Sequence, residues 1–140
     1  MTRYRKGANA ERELIHILFG KGFSVIRTAG SGKTALPAPD IIALKPGKQL
    51  AFECKAWSAK HLSIPLVQME ELVRWGKRAG VEPLIAWKIP RKGWFFLKPR
   101  QLHKTSKFYL ISRKDAIRHA LNLNVIIGSQ SQIKVRWNAF

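Results

Sequence analysis

The feature that most constrains the fold is the run Leu84–Ile89, which is apolar at almost every position. Apolar residues at consecutive positions of a strand predict that both faces of the strand are buried. Such a strand needs other elements packed above and below its sheet. The run therefore predicts an interior strand of a sheet that helices cover.

A hairpin is predicted earlier in the chain, where strands over residues 40–44 and 49–56 flank the turn Pro46-Gly47. The short turn makes the two strands antiparallel neighbours. A helix over residues 8–21, ended by Gly22, and a strand over residues 23–28 precede the hairpin. The intervening segment 29–39 holds two glycines and two prolines, so it is expected to be a loop.

Further elements follow the hairpin. A helix is expected from Pro65 to Gly80, an edge strand over 94–97 and a strand over 108–111. Ser112 opens a capping-box-like start of a helix that runs to about residue 123. The order predicts an α/β fold with a mixed central sheet flanked by helices. We expect one domain over residues 1–140, with a basic arm at 1–7 and a flexible tail at 128–140.

The charge balance points to a polyanionic partner. The 140 residues include 26 lysines and arginines against 8 acidic residues, a formal net charge of +18. Nucleic acid fits this balance because phosphate contacts release counterions. The alternatives are an anionic membrane surface, which the lack of a long apolar run disfavours, and a ribosomal-type role. With no signal-peptide pattern, a cytoplasmic, nucleoid-associated protein is expected.

Two carboxylates and an amine are expected to meet at one end of the hairpin. Asp40 begins one strand, and Glu53 and Lys55 share a face of the other because side chains alternate along a strand. Oxygen ligands suit Mg2+, with Mn2+ as a substitute, and a neighbouring lysine can orient water and offset negative charge. The alternative is a surface ion pair on an exposed strand. The otherwise apolar strand favours a site for phosphodiester hydrolysis.

Glu11 is a further candidate for the same site. It precedes Leu14, Ile15 and Leu18 by three, four and seven residues, so it lies on or beside the apolar face of the first helix. A carboxylate at that place is costly unless it is paired or binds a metal. Either a metal ligand or the ion-pair partner of an arginine is consistent with this position.

Here the motifs resemble a known family. Pro39-Asp40, twelve residues and then Glu53-Cys54-Lys55 match the PD-(D/E)xK nuclease motif. The segment RKGANAER at 5–12 resembles the R-K-G-x-x-x-E-R opening of archaeal Holliday junction resolvases, and the resemblance extends over about residues 3–100. It implies a restriction-endonuclease-like fold, a Mg2+-dependent endonuclease and a homodimer that makes two symmetric cuts in a four-way DNA junction.

The resemblance also implies roles for individual residues. Glu11, Asp40, Glu53 and the backbone carbonyl of Cys54 would hold the metal, and Lys55 would act on the attacking water. The Cys54 side chain, on the opposite strand face, is expected in the core. The expected DNA contacts are the basic arm, two arginines at family positions near the phosphates, and the loop 29–39: Arg5, Lys6, Arg12, Arg27, Ser31 and Lys33.

Other interpretations stay open at this point. A nuclease of the same fold acting on mismatched, nicked or linear DNA carries the same motif, and a basic DNA-binding module without catalysis carries the same charge. Near the C-terminus, residues 130–137 resemble a sliding-clamp-binding peptide, but Arg136 stands where a second aromatic residue is expected. The alternative for this segment is a plain basic strand or a disordered end.

Overall fold

The computed structural model describes residues 3–28 and 36–128. Within these ranges the chain forms eight strands and four α-helices. The strands are β1 (Ser24–Arg27), β2 (Ile41–Lys45), β3 (Lys48–Ala56), β4 (His61–Pro65), β5 (Leu84–Ile89), β6 (Gly93–Leu97), β7 (His103–Lys104) and β8 (Phe108–Ser112). The helices are α1 (Arg3–Gly20), α2 (Leu66–Ala79), α3 (Arg113–His119) and α4 (Leu123–Ile126), and Pro99–Gln101 is a short 3-10 helix.

A five-stranded mixed sheet, ordered β1-β2-β3-β5-β6, forms the centre of the fold. Strands β1, β2 and β3 are antiparallel neighbours, β5 is parallel to β3, and β6 is the antiparallel edge strand. The parallel pair requires a crossover, which α2 supplies. The predicted hairpin, the edge strand and the mixed character of the sheet are confirmed.

Both faces of the central sheet are covered, as the run in β5 predicts. On one face, Leu84 and Ala86 join a core cluster with Leu14 and Leu18 of α1. On the other face, alternate β5 residues join a cluster with α2 and with a second sheet of order β4-β8-β7. Each fully buried large side chain, such as Trp87, contributes roughly 1.5–3 kcal/mol through burial.

The first helix differs from its predicted bounds, because it begins at Arg3. Residues 3–7, predicted as a basic arm, are therefore the first turns of α1. Arginine and lysine are good helix formers, and the single Gly7 costs only about 1 kcal/mol. The side chains of Arg5 and Lys6 consequently extend from a helix, not from a separate arm.

The helix predicted from Ser112 to about residue 123 is shorter than expected. Ser112 does cap α3, accepting a hydrogen bond from the Asp115 backbone N–H at 3.0 Å. The helix ends at His119, because the next residues leave helical geometry and Leu121 N–H donates to Phe96 O at 2.7 Å. Pairing with the edge of the central sheet replaces the helical hydrogen bonds there, and the short α4 follows.

The remaining outcomes concern α2, the second sheet and the ends of the described ranges. Helix α2 ends at Gly80, as predicted, and this glycine has the left-handed φ of 73° that favours glycine. Strand β8 was predicted, but it belongs to the second sheet, whose other strands β4 and β7 have no counterpart in the prediction.

Residues 29–35 of the loop and 129–140 of the tail lie outside the described ranges. No helix within the described ranges is long and apolar enough to span a membrane.

Candidate active site

The β2–β3 hairpin places Asp40 beside Glu53. Ile41 pairs with Phe52, so the antiparallel register, continued by one residue, brings these two acidic residues opposite each other. The Asp40 carboxylate accepts a hydrogen bond from the Cys54 backbone N–H at 2.8 Å. The Thr28 N–H donates to the Asp40 carbonyl at 2.9 Å and thereby holds the backbone where β2 begins.

Side chains alternate along β3, so that Glu53 and Lys55 share one face of the strand and Cys54 lies on the other. Glu53 is only 8% exposed and is the one buried charged residue within the described ranges. The Lys55 ammonium lies on the same strand face, 3.8 Å from Glu53 Oε2. Cys54 points to the opposite face and packs against the α1-side core, as predicted. Burial raises the pKa of the Cys54 thiol well above its ordinary value, so this cysteine is a poor nucleophile.

The two carboxyl groups interact unfavourably when both are ionised. Burial, followed by the neighbouring Asp40 charge, raises the pKa of Glu53 to about 8, although the Lys55 ammonium opposes the shift. Burial also raises the pKa of Asp40, and the hydrogen bond from Cys54 N–H partly offsets this. Without a cation, the buried pair therefore favours sharing a proton over carrying two negative charges.

Glu11 lies at the margin of this pair. Its carboxylate accepts a hydrogen bond from Arg27 Nε at the end of β1, and its charge contributes to the raised pKa values of Asp40 and Glu53. Over residues 3–28 and 36–128, no three His, Cys, Asp or Glu side chains are arranged so that together they could hold a metal ion. Two carboxylates thus meet directly, and Glu11 contributes a nearby charge while it pairs with Arg27.

Gln68 is a site residue that the sequence prediction did not include. It is the third residue of α2, and its side chain reaches both charged residues of β3. Its Oε1 accepts from Lys55 Nζ at 3.0 Å, and its Nε2 donates to Glu53 Oε2 at 3.1 Å. An uncharged residue on the polar side of a helix carries no distinctive signal; the only cue is its place in the helix that follows the motif strand.

A small polar pocket opens over these groups. Its volume is about 180 Å3, and its lining includes Asp40, Glu53, Gln68, Glu71 and Trp75. Trp75 is half-buried at this pocket. The pocket gives solvent and small ligands access to the carboxyl pair from the α2 side.

The predicted DNA contacts divide into described and undescribed residues. Arg5, Lys6 and Arg12 are exposed on α1, and the first and last of these are seven residues apart, on one helix face. Arg27 is exposed beside Glu11. Ser31 and Lys33 lie outside the described residues. Exposed cations therefore lie along α1 and at the end of β1, where Arg27 pairs with Glu11.

Comparison with known proteins gives concordant results. The sequence model described as archaeal Holliday junction resolvase (hjc) matches residues 2–135. A crossover junction endodeoxyribonuclease Hjc from Archaeoglobus fulgidus is 38% identical over 106 residues, 76% of this chain and 78% of that protein. The Hjc of Methanocaldococcus jannaschii is 35% identical over 134 residues, 95% of each chain.

A solved structure leads to the same family. The structure of Archaeoglobus fulgidus Hjc, described as a Holliday junction resolvase, superposes with a TM-score of 0.78 at 32% identity. The superposition covers 88% of this chain and 96% of that chain. The predicted restriction-endonuclease-like α/β fold is thereby confirmed. Sequence match, structural match and the acidic pair with its lysine agree: this chain belongs to the archaeal Holliday junction resolvase family, Hjc.

Proposed function

We propose that this chain is an endonuclease that cuts four-way DNA junctions by Mg2+-dependent hydrolysis of phosphodiester bonds, with Mn2+ as a substitute. Family membership supports the substrate, since the relatives carry the name crossover junction endodeoxyribonuclease. The observation that carries the chemistry is the placement of two carboxyl groups, Asp40 and Glu53, beside the Lys55 ammonium. Few structural roles require this costly combination inside a domain of net charge +18.

The donor set fits a hard divalent cation. Magnesium is commonly bound through one or two carboxylates together with water, and Asp40 and Glu53 offer two adjacent carboxylates. Burial disfavours the charge on both carboxyl groups, and Asp40 further disfavours that on Glu53, so a bound cation would stabilise the ionised pair. The backbone carbonyl of Cys54 and the Glu11 carboxylate are the further ligands we propose, and Glu11 would join the carboxyl pair by exchanging its hydrogen bond to Arg27 for the metal. When bound, such an ion polarises the phosphate and lowers the pKa of a water molecule.

The protein's own groups then orient the reactants. The Cys54 N–H donates to one oxygen of Asp40 and thereby fixes the orientation of its carboxylate. The Lys55 ammonium, only partly exposed, would hold an attacking water and offset negative charge that develops on the phosphate. The scissile phosphate would reach both groups through the pocket that Asp40 and Glu53 line.

Binding would depend on the phosphate backbone. The exposed cations Arg5, Lys6, Arg12 and Arg27 are the described residues that we propose as phosphate contacts, with Ser31 and Lys33 of the loop as additional ones. Each phosphate neutralised on a duplex arm should lower log affinity by about 0.9 per unit of log salt. These contacts position the junction but do not read its sequence.

Two symmetric cuts in a four-way junction require two active sites related by a twofold axis, so we propose a homodimer. The nucleoid is the compartment where such a substrate occurs. The resemblance of residues 130–137 to a sliding-clamp-binding peptide lies outside the described residues, and a clamp contact remains a prediction from sequence.

A substrate panel tests the proposal. Wild-type protein and Glu53→Ala are incubated with Mg2+, or with EDTA, on labelled four-way junction, bubble and linear duplex DNA of matched sequence. We expect paired symmetric nicks in the junction with wild type and Mg2+ alone. Equal cutting of linear duplex would favour a nuclease for another DNA structure. Binding without cutting by any combination would favour a basic DNA-binding module.

A further inference from the structure

The side chain of Gln68 connects the two oppositely charged groups of the proposed site. It extends from α2 to β3, accepts from Lys55 Nζ and donates to Glu53 Oε2. We infer that Gln68 is a positioning residue that holds the Lys55 ammonium and the Glu53 carboxylate apart in the arrangement needed for cleavage. The inference rests on the proposed function, because it gives these two groups their catalytic meaning.

The chemistry of the amide suits this place. An amide has an acceptor at one end and donors at the other, whereas an ammonium only donates and an ionised carboxylate only accepts. A glutamate at position 68 would serve Lys55 but repel Glu53, and a lysine would do the reverse. The orientation of the Gln68 amide follows from the same argument, since only its oxygen can accept from Lys55.

Gln68 also keeps the two groups from pairing directly. Lys55 Nζ and Glu53 Oε2 are 3.8 Å apart, which is beyond hydrogen-bond distance. Lysine has a flexible stem and a compact charge, so without another acceptor its ammonium can close onto the carboxylate. That contact would place a positive charge directly on the carboxylate that we propose as a metal ligand, where it would compete with the metal. By satisfying Lys55 itself, the amide leaves the ammonium close to the carboxylate but not bonded to it.

The helix that carries Gln68 is firmly attached to the core. Met69 and Leu72 are buried against the second core cluster, and the Leu66 N–H donates to the Lys107 carbonyl at 3.3 Å. A side chain on the first turn of such a helix has a well-defined origin, which a positioning residue needs.

The test compares Gln68→Met with Gln49→Met, the same chemical change at an exposed position of the same strand as Glu53. Three quantities are measured: the single-turnover cleavage rate at saturating protein, the metal-free junction Kd, and the Mg2+ concentration at half-maximal rate. We expect Gln68→Met to lower the rate about 10–100-fold, as losses of groups that orient metal ligands typically do. Its junction Kd should stay within about twofold, and its Mg2+ midpoint should rise. Gln49→Met should match wild type in all three.

A double-mutant cycle with Lys55→Met adds an independent criterion. If Gln68 acts through Lys55, Gln68→Met should cost clearly less in the Lys55→Met background than in wild type. The inference is overturned if Gln68→Met cleaves within about twofold of wild type. It is overturned equally if junction affinity and thermal stability fall in step with the rate, because that indicates a purely structural role. A wild type unable to cut junctions in Mg2+ would overturn the proposed function as well.

Discussion

Glu13 and Glu53 are both glutamates close to a lysine, yet their surroundings shift their pKa values in opposite directions. Glu13, on α1, accepts hydrogen bonds from Lys88 Nζ at 2.7 Å and Trp94 Nε1 at 2.9 Å. Its side chain is nearly half exposed, and the bond from Lys88 lowers its pKa. Glu53 is buried beside a second carboxyl group, and its pKa is raised to about 8.

The charged form of Glu13 stabilises the fold, whereas the charged form of Glu53 destabilises it. The Glu13 interactions join α1 to β5 and β6, and each partner lowers the energy of the charged form. The environment of Glu53 disfavours its charge unless a cation is added. Such strain is typical of groups retained for chemistry, and it gives the comparison measurable consequences.

The largest expected effect is on cleavage. Asp40→Asn and Glu53→Gln should each lower the single-turnover rate by about 10³-fold or more, because a neutral amide binds the metal poorly and about 4 kcal/mol of transition-state stabilisation is lost. Glu13→Gln, the matched change at the other carboxylate, should leave the rate within a few-fold. Gel shifts on the same proteins should show unchanged or tighter junction binding for the first two variants. If folded Glu53→Gln cleaved at the wild-type rate, Glu53 would be no more important for cleavage than Glu13.

The next effect concerns stability without metal. The folded-state pKa of Glu53 is raised above its ordinary value of 4.5, so the folded protein retains a proton that the unfolded chain releases. The favourable contribution is complete below about pH 4.5 and declines as pH rises toward 8. Glutamine does not titrate, so at pH 8 in EDTA the free energy of unfolding of Glu53→Gln should exceed that of wild type by about 4 kcal/mol. Urea unfolding at pH 5 and pH 8 measures this.

Magnesium provides the control for that measurement. Added at pH 8, Mg2+ should stabilise wild type by mass action and leave Glu53→Gln nearly unchanged. If wild type showed no loss of stability between pH 5 and pH 8, the carboxyl pair would be less strained than its burial implies.

Glu11 shares features of the structural carboxylate Glu13 and of the proposed metal ligand Glu53, and its replacement distinguishes the two roles. It pairs with Arg27 as a structural carboxylate does, yet its charge contributes to the raised pKa of Glu53. If it also serves the metal, Glu11→Ala should lower cleavage about 10–100-fold and raise the Mg2+ requirement without weakening junction binding. Glu13→Ala, two residues along the same helix, is the control. Full activity of Glu11→Ala would assign Glu11 to Arg27 alone.

The hairpin that carries the carboxyl pair could be predicted because its signals are local. The turn at Pro46-Gly47 sets which residues face each other, and strand alternation places Glu53 and Lys55 on one face. Nothing beyond a dozen neighbouring residues is needed to bring Asp40 to the same place. The site prediction was therefore strongest where the geometry depends least on the rest of the chain.

The parts that were missed depend on distant contacts. His61 of β4 pairs with Ser112 of β8, and no pattern within β4 indicates a partner so far along the chain. The α3 helix ends where Leu121 pairs with Phe96 in a different element. Gln68 reaches the site because α2 packs across the sheet, which its own sequence does not reveal.

The smallest expected effect is the contribution of Glu13 to stability, whose pH dependence is opposite to that of Glu53. Because the pKa of Glu13 is lowered in the folded state, its contribution to stability is present above its ordinary value of 4.5 and is lost as pH falls through the folded-state pKa. Glu13→Gln should therefore destabilise the protein at pH 7, by about 0.5–1 kcal/mol, since a half-exposed ion pair is screened by solvent. A double-mutant cycle with Lys88→Met, followed by urea unfolding at pH 7 and pH 4, isolates the pair. The coupling energy between Glu13 and Lys88 should decrease from pH 7 to pH 4. Over the same change, metal-free wild type should gain stability relative to Glu53→Gln. Coupling that grew on acidification would contradict the assignment of Glu13 as a structural carboxylate.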